Sequence, residues 1–290
     1  MDSAKKSSLF GFAFPLTYGR LFLHRNAELT MTKHLDITPL LDGWDFDPAK
    51  VTARLVEVDS EDQQQVQLRL DLGILQMRLD GRPDGQRPHG YDSALKYYRQ
   101  KILTDRRTGY RLDGDACAEL QQECVQIYYR YLALMVLKEY GKVIRDTTHS
   151  LEIFDLVEKY SDNDDVIWDF LQFKPYVIMM HSRAKAEQLS EEADIGGAIE
   201  QIEQGMNDIE SFLIHMEDDP DYVNECQELI MMEEMIRDLK ERGPEENPVV
   251  ALKQKLQHAI RMENYEEAAR IRDSILEMET ASEPAAHLQS

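Results

Sequence analysis

The side chains that could do chemistry in this 290-residue chain are numerous but rarely spaced for it. Its histidines are His24, His34, His89, His149, His181, His215, His258 and His287. None stand in HxH, HxxxH or HExxH spacing, the arrangements that bring two imidazoles onto one metal ion. Cys117, Cys124 and Cys226 form neither a CxxC pair nor an even disulfide framework. Cys117 and Cys124 share one face of an expected helix and read as core thiols, which favours a reducing, cytoplasmic setting. SDNDD, residues 161–165, lacks the glycine and trailing glutamate of a calcium loop and reads as a solvated acidic turn. GRPDGQRPHG, 81–90, is rich in glycine, but no GxxxxGK[ST] accompanies it, so it reads as a connector. Neither GxSxG nor GxGxxG occurs. Carboxylate pairs such as Glu233-Glu234 are too common here to mark a site. Met179, Met180, Met231, Met232 and Met235 read as filler of an irregular core, with a Met-lined groove as the functional alternative. These patterns nominate no catalytic residue, no cofactor and no metal site.

Charge narrows the range of partners. The formal net charge is −22. Residues 187–246 hold 20 Asp and Glu against Arg237, Lys240 and Arg242, a net −17. Nucleic-acid affinity rests on Lys and Arg neutralising phosphates, so direct binding to DNA or RNA is disfavoured. No apolar run approaches the ~18 residues of a membrane span, and no membrane association is expected.

These residues need a scaffold, and the pattern along the chain predicts one in several parts. Lys5 and Lys6 precede the short apolar patch LFGFAFPL, which Pro15, Gly19 and Arg20 then break. Residues 1–32 read as a leader, disordered or not native, with Met31 as the true start. Residues 33–90 form a small β element. Val66, Leu68, Leu70 and Leu72 alternate with polar residues, and at Gly73 the phase slips to Leu75, Met77 and Leu79. A glycine at a phase slip signals a bulge or tight bend. VTARLVEV, 51–58, is the antiparallel partner.

Residues 91–242 form a helical domain. Leu120, Cys124, Ile127, Tyr128, Tyr131, Leu134, Met135 and Leu137 lie on one broad apolar stripe. KEYGKVIRDTTHSLEIF and EADIGGAIEQIEQGMNDI share a cadence, offset by 55 residues from Tyr140 to Ile195. The cadence resembles the second half of tetratricopeptide-type repeats, although their period is about 34 residues. The expected fold class is therefore mainly α, a helical-repeat-like bundle with a small N-terminal antiparallel β element and a C-terminal helical hairpin. ERGPEENP contributes an exposed linker at 243–248, and 285–290 reads as a disordered tail.

The hairpin occupies 249–284. Leu252, Leu256 and Ile260 recur at helical spacing, then Glu263-Asn264 interrupts. Beyond the break, Tyr265, Ala268, Ala269, Arg272 and Ile275 are placed on one side, with Ile271 and Met278 nearby. Asn264 suits a left-handed turn, and the alanine pair lets two helices approach closely. At about thirty residues the unit is below the roughly 40-residue size that folds alone, so its apolar face needs a partner.

The run NYEEAARIRDSI, with the aliphatic helix before it, resembles the UVR motif named for the bacterial excision-repair proteins UvrB and UvrC. The matching residues are Leu252, Leu256, Ile260, Tyr265, Glu267, Ala268, Ala269, Ile271, Arg272, Asp273 and Ile275. In that family the motif is a non-catalytic protein–protein contact, found also in McsA-like activators of protein-arginine kinases and some Clp ATPases. The chain lacks the Walker A loop of UvrB, the nuclease region of UvrC and the CxxC knuckles of McsA. The resemblance thus implies a docking module, with another UVR-motif protein or a second copy as partner, and an adaptor in DNA repair or protein quality control. The alternatives are a DNA-repair accessory factor touching nucleic acid directly, and an enzyme using a cleft between sheet and helices.

Overall fold

A computed structural model describes residues 36–58, 63–105, 109–216, 223, 225–241, 252, 256, 260 and 264–281. The leader, the linker at 243–248 and the tail fall outside the described residues.

Three strands follow the alternation: β1 (Ala53–Val58), β2 (Gln63–Leu70) and β3 (Gly73–Arg78), antiparallel in the order β1-β2-β3. Val66 sits opposite Leu55 and Met77, and Leu70 opposite Gly73. The phase slip is therefore a hairpin turn made by Asp71 and Leu72. Leu72, counted with the apolar row, is instead at the tip of that turn and 89% exposed. Val66, Leu68 and Met77 close one face of the sheet against Ala133. The other face carries an amide ladder. Arg54 Nε donates to Gln67 at 2.8 Å, Gln67 to Gln76 at 2.7 Å, and Gln76 to Gln65 at 2.8 Å. The Arg54 guanidinium lies 4.1 Å from the Trp44 ring centroid and donates to the Leu40 carbonyl, so the segment around α1 (Thr38–Leu41) covers this face.

The helices are α2 (Ala94–Thr104), α3 (Gly114–Val136), α4 (Tyr140–Tyr160), α5 (Asp164–Leu171), α6 (Lys174–Glu191), α7 (Ile195–Met216), α8 (Gln227–Glu241) and α9 (Tyr265–Ala281). Side-chain caps start several of them: Ser93 accepts from Lys96 N–H, Asp113 from Ala116 N–H, and Asn163 from Asp165 and Val166 N–H. SDNDD is thus only half a loop. Asn163 caps α5, and Asp164 and Asp165 occupy its first turn, where the helix dipole favours acids. No helix among the described residues is long and apolar enough to cross a membrane.

The shared cadence is a structural repeat. Helices α3 and α4 form one antiparallel pair, and α6 and α7 another, joined by the same turn 55 residues apart. Lys138 (φ 60°) and Ala193 (φ 62°) take the left-handed conformation at the two turns. Glu139 N–H donates to the Leu134 carbonyl at 2.9 Å, and Asp194 N–H to the Leu189 carbonyl at 2.8 Å. This six-to-one bond, with a five-to-two bond inside it, closes a helix in the Schellman manner. After the turn the buried positions coincide: Tyr140 with Ile195, Val143 with Ala198, Thr147 with Ile202, Ser150 with Gly205, and Phe154 with Ile209. α5, inserted between the pairs, lengthens the period. Gly205 lets α7 approach α6 and α8 closely. A Cβ there would stand 2.8 Å from the Met232 Cε and collide with Ser182.

Candidate functional site

Two places concentrate functional side chains, the C-terminal hairpin and a buried charged cleft in the body. In the hairpin, Asn264 is the N-cap of α9: its Oδ1 accepts from Glu267 N–H at 3.3 Å and its carbonyl from Ala268 N–H at 3.0 Å. Asn264 thus caps the helix. Glu266 and Glu267 follow in the first turn, where acids favour a helix start. Leu252, Leu256 and Ile260 are helical, which gives the hairpin its first arm.

Ala268, Ile271 and Ile275 are buried at 7–8% exposure and pack with Leu252 and Leu256. Their spacing, i, i+3, i+7, is one helical face. The sequence pattern put Ala269 and Arg272 on that face with Ala268, and the structure turns both outward. Glu267 and Asp273 are also exposed, as are Tyr265 (68%) and Ile260 (50%). Tyr265, Ala269 and Arg272 form a second, outward stripe at i, i+4, i+7. Arg272 pairs with its neighbour Asp273 at 2.7 Å, and Arg270 with Glu266 at 2.6 Å. The hairpin's charge is divided by arm. Residues 249–262 contain Lys253, Lys255 and Arg261 and no acid, whereas 265–281 contain Glu266, Glu267, Asp273, Glu277 and Glu279 against Arg270 and Arg272.

The second place went unread in the sequence. Glu123 and Arg130 of α3 and Asp146 of α4 are at most 2% exposed, and Arg82, from the glycine-rich loop, is 8% exposed. Arg130 donates from Nε and Nη2 to the two Asp146 oxygens at 2.7 and 2.8 Å. Its Nη1 reaches the carbonyls of Arg78 and Gly81 at 3.0 and 2.7 Å. Arg145 joins Asp146 to Asp80. Glu123 accepts from Ala94 N–H at 2.7 Å and faces His149 Nε2 at 2.8 Å and Arg82 Nη1 at 3.6 Å. GRPDGQRPHG is therefore more than a connector: Arg82 bonds to Asp84, and His89 stacks on Tyr97 and pairs with Glu119. A cleft of about 170 Å³ opens onto these groups, with Asp92 and Ser93 on its wall. The buried charges are spent on one another and on backbone, an arrangement that clamps the chain leaving β3 onto α3 and α4. Among the described residues no three His, Cys, Asp or Glu side chains converge as a metal site requires.

Glu123 makes this clamp sensitive to acid. Burial pushes its pKa up, but the hydrogen bond from His149 and the N–H groups of Ala94 and Leu95 outweigh it and hold the carboxyl below its ordinary value. With the folded value lowered, the unfolded chain binds the proton more tightly. The stabilisation is then present above the unfolded carboxylate value of about 4.3 and lost as pH falls below it. Glu123→Gln should flatten the dependence of the urea midpoint on pH between about 5 and 3, read by fluorescence-monitored unfolding. An unchanged slope would reject the assignment.

Comparison with known proteins singles out the same C-terminal region. No curated protein and no solved structure matches the chain. One family model matches, that of the UvrB/uvrC motif, over residues 246–281. What the chain shares with known proteins is a UVR motif, carried by the hairpin of Leu252, Leu256 and α9 on a mainly helical body.

Proposed function

We propose that the protein is a non-catalytic adaptor whose UVR hairpin binds a UVR hairpin on another protein or on a second copy of this chain. The observation that carries the reading is the hairpin's small apolar cluster. Among the described residues it shares none with the core of the body, and Ile260 and Tyr265 remain exposed beside it. A unit of that size gains most of its stability from what it docks on. The division of charge supports a hairpin as the partner, because the basic arm of one can lie along the acidic arm of the other. The mutual saturation of the buried charges in the cleft supports a scaffold role for the body. The motif's association with excision repair suggests a repair or quality-control assembly, and the lack of CxxC pairing among the cysteines fits the cytoplasm.

The test is truncation after Pro248, followed by light scattering on a sizing column and by pull-down. Loss of self-association or of a captured UVR-bearing protein is the expected result. Identical mass per particle and identical partners would defeat the proposal.

A further inference from the structure

The internal repeat lets one helix junction be compared with the next. Where α3, α4 and α6 meet, three aromatic rings fill the space. Tyr131 is 1% exposed, the Tyr128 ring lies 5.5 Å from it, and Tyr176 lies 6.2 Å from Tyr128. Fifty-five residues on, where α6, α7 and α8 meet, the equivalent positions hold Arg183, Ala186 and Met231. None of these carries an aromatic ring, and the second junction is open as a groove of about 190 Å³. Its apolar lining includes Ile202, Met235 and Leu239, with Met231 at its edge 44% exposed. Methionine side chains adapt to what enters. Glu187, Glu234 and Asp238 also line it, against Arg183. The volume is below the ~300 Å³ at which small-molecule sites begin, and suits one large side chain better than a cofactor.

We infer that this groove docks a segment of a partner protein that carries an aromatic side chain flanked by Lys or Arg. The ring takes the space that Tyr128 and Tyr131 fill at the first junction, and the flanking bases meet Glu187, Glu234 and Asp238. The excess of acids in the lining selects against an acidic segment, as like charges across an interface do. The surface belongs to the body and is independent of the hairpin and of the function proposed for it.

Fluorescence anisotropy of the full-length protein with the labelled peptide GKRYLRKG tests the inference, with GKRALRKG as the control. The tyrosine peptide should bind at least tenfold more tightly than the alanine peptide, and more weakly as salt rises. Ala186→Tyr, which supplies the ring found at the first junction, should weaken binding at least tenfold without lowering the thermal midpoint. Glu234→Lys with Asp238→Lys should weaken it as much from the solvent side, and gives the answer if Ala186→Tyr fails to fold. No binding, equal affinity for the two peptides, or undiminished binding by the variants overturns the inference. So does binding that appears only when residues 1–30 are removed, because the chain's own aromatic and basic segment would then be the occupant.

Discussion

Asp146→Ala is expected to destabilise the body by about 3–5 kcal/mol, the range for removing one partner of a buried ion pair. The size follows from what is left behind. Arg130 is 2% exposed, and both of its bonds to Asp146 are short and parallel. Without the carboxylate, a guanidinium that cannot lose its proton stays buried with two backbone carbonyls as its remaining partners among the described residues. Arg145, which also donates to Asp146, keeps Asp80 and the Leu79 carbonyl and is affected less. Urea unfolding at neutral pH measures the loss. The paired replacement Arg130→Met with Asp146→Leu separates two explanations, because it removes both charges and keeps the volume. It should recover most of the stability, as hydrophobic replacement of buried pairs does elsewhere. A double variant no better than Asp146→Ala would mean that the anchoring of Arg78 and Gly81, and not the unpaired charge, dominates.

That clamp was invisible to periodicity for a definite reason. A count of apolar positions along α3 finds Leu120, Cys124, Ile127 and Tyr131 and passes over Glu123 and Arg130, although these charges stand seven apart on the same buried side. Their partners come from β3, the glycine-rich loop and α4, which no local window joins. A signal existed: two charges at i and i+7 inside an apolar stripe require polar partners elsewhere, and Asp146 and His149, three apart on α4, supply them. The repeat was legible because it lies in backbone punctuation. A two-residue turn and small residues after it recur at Lys138 and Ala193 despite different side chains. In the hairpin, spacing found Leu252 and Leu256 but not the correct side of α9. Ala268-Ile271-Ile275 and Tyr265-Ala269-Arg272 both satisfy the three-and-four rule, and the double alanine fits either. Only the packed partner helix decides between them, in favour of the first.

Ile271→Asp, on the side so decided, is expected to abolish hairpin-dependent association, a loss of at least about 100-fold, while leaving the body unaffected. Ile271 is 8% exposed at the centre of a cluster of five side chains. A carboxylate there must be buried unpaired or expel the opposing helix, at several kcal/mol either way. A 30-residue hairpin has no reserve to absorb that, whereas a body with its own large core does not experience it. The two outcomes are separable because both tryptophans, Trp44 and Trp168, lie in the body. Their fluorescence in urea should give the wild-type midpoint, while light scattering and pull-down report the lost association. Tyr265→Ala supplies the complementary measurement. Tyr265 is 68% exposed and contributes little to the hairpin's own cluster, so its removal should leave the helix content unchanged. Weaker association by Tyr265→Ala would place the outward stripe in the interface. Undiminished association by both variants would separate the hairpin from partner binding and leave the body to account for it.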